Sequence, residues 1–354
     1  TSFGVDGAPF DKEGNQLYPV ISWACPRTKT VLEDVYKHIP LEDLYQITGV
    51  HHFDFNTLYK IFWMKSYQQD VYRKMDYWLF MPSIFTHRLC GSLHTDVTMV
   101  GTSMMNDLEG RSLSRDILGI LDMKEMHFPN IAEAGHVIGH ISRIAYEQTL
   151  LPEETPVISA GHDTQFAIFG SGAGINEPVL SSGTWEVLMV RTPQVRTDSN
   201  AYQAGITTEY DVIPGLYNPG LQWLGSGVLE GIRWNDFSDV AEDAGIYDVM
   251  IGEARASTPR GLKYLETLKE LSKKTRTNLR LLEETCNFKA STLLVVGGGS
   301  KNVLCTVVRR EITGIEIKTM PQKETTVLGA AMYAFTGCGF YPSAEEARKK
   351  FLKH

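Results

Sequence analysis

Apolar and polar positions change period several times along the chain. Ser2 to Gly7 alternates briefly and predicts a strand ending in a turn, and Gly14 to Trp23 predicts a turn followed by a second strand. The period then lengthens. Val31, Leu32, Val35, Tyr36 and Ile39 fall on one face of a helix that Pro40 closes. Residues 55–90 alternate aromatic-rich helical stretches with short loops, and Val137 to Ile141 predicts short β structure around Gly139. Leu151 to Pro156 is polar and bounded by proline, and a new apolar run follows it. That shift predicts a boundary between two domains, 1–155 and 156–354.

Beyond it the elements alternate. Pro156 onward predicts a buried strand ending in the polar turn Gly161-His162-Asp163-Thr164. Pro178 to Arg191 predicts a hairpin, and Leu221 to Trp234 a helix. Leu265, Leu268, Ser272, Thr275, Leu279 and Leu282 lie near one face of a long helix. Leu293 to Val296 is a strand entering a glycine turn, Ile315 to Thr319 another strand, and Thr326 to Phe335 a small-residue helix suited to close packing on a sheet. Such alternation predicts an α/β fold, with no short repeat and no low-complexity tract.

Composition narrows the function classes. At 354 residues, the chain is long enough for two cores, and 43% hydrophobic with 21% charged is ordinary for a soluble globular protein. The net charge of -8 supplies no basic field for nucleic acid. Cys25, Cys90, Cys286, Cys305 and Cys338 form no C-x-x-C pair, which predicts reduced cytoplasmic thiols and not a disulfide framework or zinc site. No apolar run reaches membrane-span length, and the first residues lack the basic-then-apolar pattern of a signal peptide.

The candidate chemistry is acid–base work beside anion binding. Asp163 ends an apolar run and suits a general base, although aspartate at a strand-to-helix junction also serves as a helix cap. Of the neighbours His162 and Asp163, one should face inward as a structural residue. Ser181-Ser182-Gly183-Thr184 exposes turn amides and hydroxyls that can cradle an anion, as well as forming an ordinary hairpin. Gly297-Gly298-Gly299-Ser300-Lys301-Asn302 follows a strand and opens a helix, where amides and the helix dipole can hold phosphate. It matches neither G-x-G-x-x-G nor a P-loop. Asp6 can bind a sugar hydroxyl or shape a turn. His51-His52 and His136 with His140 resemble metal spacing, but the second pair lacks the Glu of H-E-x-x-H.

In this order and spacing, the motifs resemble the FGGY carbohydrate kinases. Further segments add to the likeness: Phe55 to Met64, Thr95-Asp96-Val97-Thr98 with Thr102-Ser103, Gly220 to Leu224, and Glu324 to Ala331. The resemblance implies two ribonuclease-H/actin-like ATPase domains with a cleft between them, the first binding sugar and the second nucleotide. It implies ATP-dependent phosphorylation of a primary ketose hydroxyl, L-fuculose first and L-rhamnulose or D-xylulose as alternatives, with Mg²⁺ beside ATP. By position it makes Asp163 the catalytic base and Asp6 a sugar contact. Ser182, Gly183, Thr184, Gln222, Gly298, Gly299 and Asn302 become nucleotide contacts, with metal ligands unassigned. A homo-oligomer and a cytoplasmic location fit such an enzyme. Two departures stand out. The family's first β-hairpin, Asp-x-Gly followed by Thr or Ser, has no match, and neither has its second signature, where Ala256 to Gly261 runs abruptly into the long helix. The sequence is therefore expected to omit an N-terminal segment and an internal loop, and an inactive sugar- or nucleotide-binding protein on the same scaffold is the rival reading.

Overall fold

A computed structural model describes residues 1–225, 227–228, 243–320 and 324–352. The chain folds as two compact units. The first comprises Thr1–Gly172, Pro193–Asn218 and Thr326–His354, the second Ala173–Thr192 and Pro219–Thr325. This differs from a single division at 155/156. The proline-bounded segment joins two strands of one unit, because Pro156–Ile158 pairs antiparallel with Val137–His140. The helix Asp163–Gly170 also stays in the first unit. Its Phe166 and Phe169 pack with Val212, Met332 and Tyr333.

In the first unit Gly7–Phe10 pairs antiparallel with Tyr77–Phe80, Ala8 facing Leu79 and Phe10 facing Tyr77. The strand expected over Ser2 to Gly7 therefore starts later. Val5 has φ +64°, a conformation that interrupts an extended run. Between Gly14 and Trp23 only Gln16 and Ile21 bridge, to Phe10 and Gly7. The helical pattern near Val31 becomes a 3-10 turn, Pro26–Val31, followed by the helix Leu32–Tyr36. Pro40 then starts the helix Leu41–Thr48. The helix Thr57–Tyr67 buries Leu58, Tyr59, Ile61 and Met64 against Trp78, Phe80, Val100 and Met105. His94–Asp96 pairs in parallel with Asn130–Ala132, and the side chain of Asp96 caps the helix Val97–Gly101.

The second unit is a mixed sheet. The strands Tyr217–Leu224, Trp185–Val190, Pro178–Ser182, Thr292–Val296 and Glu316–Thr319 lie side by side in that order. The hairpin is antiparallel, while Thr292–Val296 runs parallel to both its neighbours. The helices Pro259–Cys286 and Val303–Thr313 share a core of Tyr264, Leu268, Leu271, Cys305 and Val308. The expected face of the long helix is the buried one, from Leu268 through Ser272, Thr275 and Leu279 to Leu282.

One expectation changes here. Leu221–Leu224 is the end of a strand and not the start of a helix, because Leu221 pairs with Leu188 and Gln222 with Val187. Cross-strand partners decide such a short apolar run; Trp234 lies outside the described residues. The junction 256–261 is a closed turn between helices, in which the Thr258 hydroxyl accepts the Gly261 amide at 3.0 Å and Arg260 pairs with Glu253. Among the described residues, no helix is long and apolar enough to cross a membrane, and all five cysteines are free.

Candidate functional site

The second unit brings the two glycine turns together. Val296 lies beside Ser181 in a parallel pair, so the strands Pro178–Ser182 and Thr292–Val296 end at the same edge of the sheet. Ligands of α/β sheets gather outside such carboxyl ends. Gly297 has φ +84°, and a Cβ there would lie 2.7 Å from the Ser182 carbonyl oxygen. A Cβ on Gly299 would overlap the Ser182 hydroxyl, whereas one on Gly298 would meet nothing within 4 Å. Gly297 and Gly299 thus allow the turns to touch, and Gly298 faces open space.

A 3-10 turn, Gly298–Lys301, follows. Its opening amides have no acceptor within the turn, which suits an anion. Thr184 is exposed at the facing hairpin tip. Three of the other predicted contacts are committed to the protein. The Gly183 amide donates to the Trp185 carbonyl at 3.0 Å, and the Ser182 hydroxyl donates to Glu186 Oε1 at 3.0 Å. Asn302 caps the helix Val303–Thr313, its Oδ1 accepting the Cys305 amide at 3.0 Å while Nδ2 donates to the Tyr264 hydroxyl at 2.5 Å. Gln222 is half-buried on its strand.

The first unit holds the acid–base residues. Asp163 is the first residue of its helix and His162 occupies the cap position, so Asp163 does not act as the cap. Its Oδ1 accepts the Thr164 amide at 2.6 Å and lies 3.5 Å from His162 Nε2. The Asp163 side chain is 39% exposed and that of His162 12%. The histidine is the inward member. Its Nδ1 lies 3.0 Å from Glu209 Oε2, which also accepts Gln165 Nε2 at 2.6 Å. Asn218 Nδ2 extends the network, donating to Gln165 Oε1 at 2.5 Å and to Asp211 Oδ2 at 2.7 Å.

Burial opposes charge on His162, but Glu209 and then Asp163 outweigh it and raise the imidazole pKa above the usual 6.5. A raised histidine pKa gives stability that is complete below the unfolded value and is lost as pH climbs through the folded one. Glu209→Gln is therefore expected to lower stability by about 1.5–3 kcal/mol near pH 6, the range for a charged hydrogen bond. The gap should shrink steadily above pH 6.5. Thermal melts of both proteins across pH 5.5–8.5 test this, and a constant gap would remove the imidazolium–carboxylate pair.

The segment Thr95–Thr98 clamps the same turn. The Thr98 hydroxyl donates to Asp96 Oδ1 at 2.6 Å and accepts the His162 amide at 2.9 Å, while Asp96 Oδ2 accepts the Ser159 hydroxyl at 3.1 Å. Asp96 is fully buried and its pKa is raised, chiefly by burial.

Asp6 is also buried. Its carboxylate pairs with Lys60, whose Nζ donates to the Val5 carbonyl at 3.0 Å as well. Burial pushes Lys60 down to about 8 against the pull of Asp6, and burial raises Asp6 against the pull of Lys60. Sequence reading missed Lys60, yet a signal was present. A lysine among Leu58, Tyr59, Ile61 and Phe62 on a helix buried around it has to meet a carboxylate. Glu209, Glu186 and Arg309 were missed too, and their partners lie too far along the chain for any local pattern. His51 stacks on Tyr202, and His52 Nδ1 lies 2.7 Å from the Tyr36 hydroxyl. Among the described residues, no group of three or more His, Cys, Asp or Glu is placed to hold a metal ion.

Comparison with known proteins gives a consistent picture. The model of the FGGY family of carbohydrate kinases matches with its N-terminal domain over residues 1–170 and with its C-terminal domain over residues 254–338. An L-fuculokinase of Escherichia coli (strain K12) is 44% identical, the match covering 98% of this chain and 79% of that protein. The match runs over 378 positions, more than the 354 residues here, so that relative carries internal residues without a counterpart in this chain. A rhamnulokinase of Lactiplantibacillus plantarum is 26% identical, covering 92% of this chain and 72% of its own. The ligand-bound xylulose kinase of Lactobacillus acidophilus superposes with a TM-score of 0.87 at 18% identity, over 99% of this chain and 77% of that one. That likeness gives the fold, a two-domain actin-like ATPase.

Proposed function

The chain belongs to the FGGY family of carbohydrate kinases, and on that premise we propose that it transfers the γ-phosphoryl group of ATP to the primary hydroxyl of L-fuculose, giving L-fuculose 1-phosphate and ADP. The observation that carries the substrate is the 44% identity to an L-fuculokinase along nearly the whole chain, against 26% for a rhamnulokinase.

The first unit takes the ketose and the second the nucleotide. A sugar hydroxyl is a weak nucleophile, so Asp163 accepts its proton as the oxygen bonds to the γ-phosphorus and the bond to the β–γ bridging oxygen breaks. Glu209 fixes His162, and the Thr98 hydroxyl holds the His162 amide; together they orient the turn that carries Asp163. Asp6, braced by Lys60, accepts a hydrogen bond from a sugar hydroxyl. The amides of Gly298 and Gly299 and the Thr184 hydroxyl hold phosphate oxygens, with Gln222 a further nucleotide contact. Ser182, Gly183 and Asn302 shape the turns that present them. A Cβ on Gly298 would meet nothing within 4 Å, so its amide is open to the approach of a phosphate oxygen. Mg²⁺ would be held mainly by the ATP phosphates and water, its usual partners, and would neutralise phosphate charge there. The free cysteines and the use of ATP favour a cytoplasmic enzyme.

A ketose panel with ADP release as the readout tests the substrate. The full-length protein is expected to show its highest kcat/KM with L-fuculose, and values lower by about tenfold or more with L-rhamnulose and D-xylulose. A preference for either of those would replace the substrate and keep the kinase. No ADP release with any ketose would favour the inactive binding protein.

A further inference from the structure

Beneath the two glycine turns lies a charged pair for which the proposed chemistry has no use. Glu186, on the strand Trp185–Val190, and Arg309, on the helix Val303–Thr313, are both 2% exposed at the side chain and form an ion pair through Arg309 NH2 and Glu186 Oε1. The same Oε1 accepts the Ser182 hydroxyl at 3.0 Å. Glu186 Oε2 and Arg309 Nε are buried and have no hydrogen-bond partner among the described residues. A buried pair with unsatisfied atoms is a poor stabiliser, and a well-packed apolar pair would do as well or better.

Its surroundings give it another use. The Ser182 hydroxyl, held by Glu186, is the group that a Cβ on Gly299 would overlap, and the Ser182 carbonyl lies against Gly297. A third turn rests on the same residue. A Cβ on Gly225 would lie 2.5 Å from Glu186 Cγ and 2.9 Å from the Gly183 carbonyl, and the Gly225 amide donates to the Thr184 carbonyl at 2.9 Å. Glu186 therefore touches or holds a neighbour of each glycine turn. Arg309 ties it to the helix whose cap, Asn302, closes the Gly297–Asn302 turn.

We infer that Glu186, charged and anchored by Arg309, is a positioning residue that sets the spacing of the glycine turns for the nucleotide without touching it. The inference rests on those turns being the nucleotide site. Weak hydroxyl or methyl contacts could hold one turn. One side chain that holds the Ser182 hydroxyl against the Gly297–Gly299 turn and packs its Cγ against Gly225 needs a fixed carboxylate, and the buried Arg309 guanidinium, donating to it, supplies the anchor.

The experiment compares the full-length wild type with the double variant Glu186→Leu/Arg309→Met. Both charges go together, so the protein is expected to fold with a melting temperature close to wild type. Its KM for ATP should rise by about tenfold or more, since small misplacement of binding groups is costly, while the KM for L-fuculose stays within about twofold. Arg309→Lys, which keeps both charges and loosens only the anchor, should show the same split at smaller amplitude and covers the case in which the double variant does not fold. Gly299→Val is the control for the nucleotide site and should raise the ATP KM by itself. An unchanged ATP KM in the folded pair variants, with a raised one in Gly299→Val, overturns the inference alone. Unchanged ATP KM in all variants overturns the nucleotide assignment as well. Equal rises in both KM values would mean general loosening of the fold and would also overturn it.

Discussion

Asp163→Asn is expected to cut turnover by ~10²–10⁴-fold, the usual cost of losing a general base, while leaving ATP binding unchanged. The substitution is nearly isosteric. Oδ1 can still accept the Thr164 amide, so the start of the helix Asp163–Gly170 should survive. What disappears is the oxygen able to take a proton from the sugar hydroxyl. The exposure of Asp163 next to a buried His162 fits that division of labour, since the catalytic group has to reach substrate and the positioning group does not. Steady-state kinetics with L-fuculose, together with nucleotide titration of the variant, provides the test. If turnover stays above about half of wild type, Asp163 is not the base.

Lys60→Met should give the largest loss of stability. It leaves the Asp6 carboxylate buried without its cation, and breaking a buried pair from one side costs about 3–5 kcal/mol. The melting temperature should fall by something on the order of 10 °C. Adding Asp6→Asn to Lys60→Met removes the stranded charge and should recover most of that loss, because a buried pair replaced on both sides is close to neutral. The double variant should nonetheless bind the ketose more weakly, since the acceptor proposed for a sugar hydroxyl is gone. Calorimetry on the three proteins separates these effects. A single variant as stable as wild type would show that the Asp6–Lys60 contact holds nothing together.

Much of the second unit was legible along the chain. The hairpin Pro178 to Arg191, the strand into Gly297 and the apolar face from Leu268 to Leu282 each carry a short-range signal of period, turn glycine or breaker, and each forms where that signal lies. The acid–base candidate was legible as well, because a polar turn closing an apolar run stands out in sequence. Local signals failed where two readings of one segment were equally good. Leu221–Leu224 has no strict alternation, and only its pairing with Val187 and Leu188 makes it a strand.

The sequence by itself determined the hairpin, the strand into Gly297 and the long helix of the second unit, where glycine lets the chain turn there, and which motifs belong together as a kinase. Tertiary structure alone decided which charges meet. Lys60 finds Asp6 across 54 positions, His162 finds Glu209 across 47, and Arg309 finds Glu186 across 123. It also decided that residues 156–172 join the first unit. The physical reason is the range of the forces involved. Period, capping and turn preference act over a few residues and leave a mark in sequence. A buried charge needs only one partner of opposite sign, which the fold can bring from any distance along the chain.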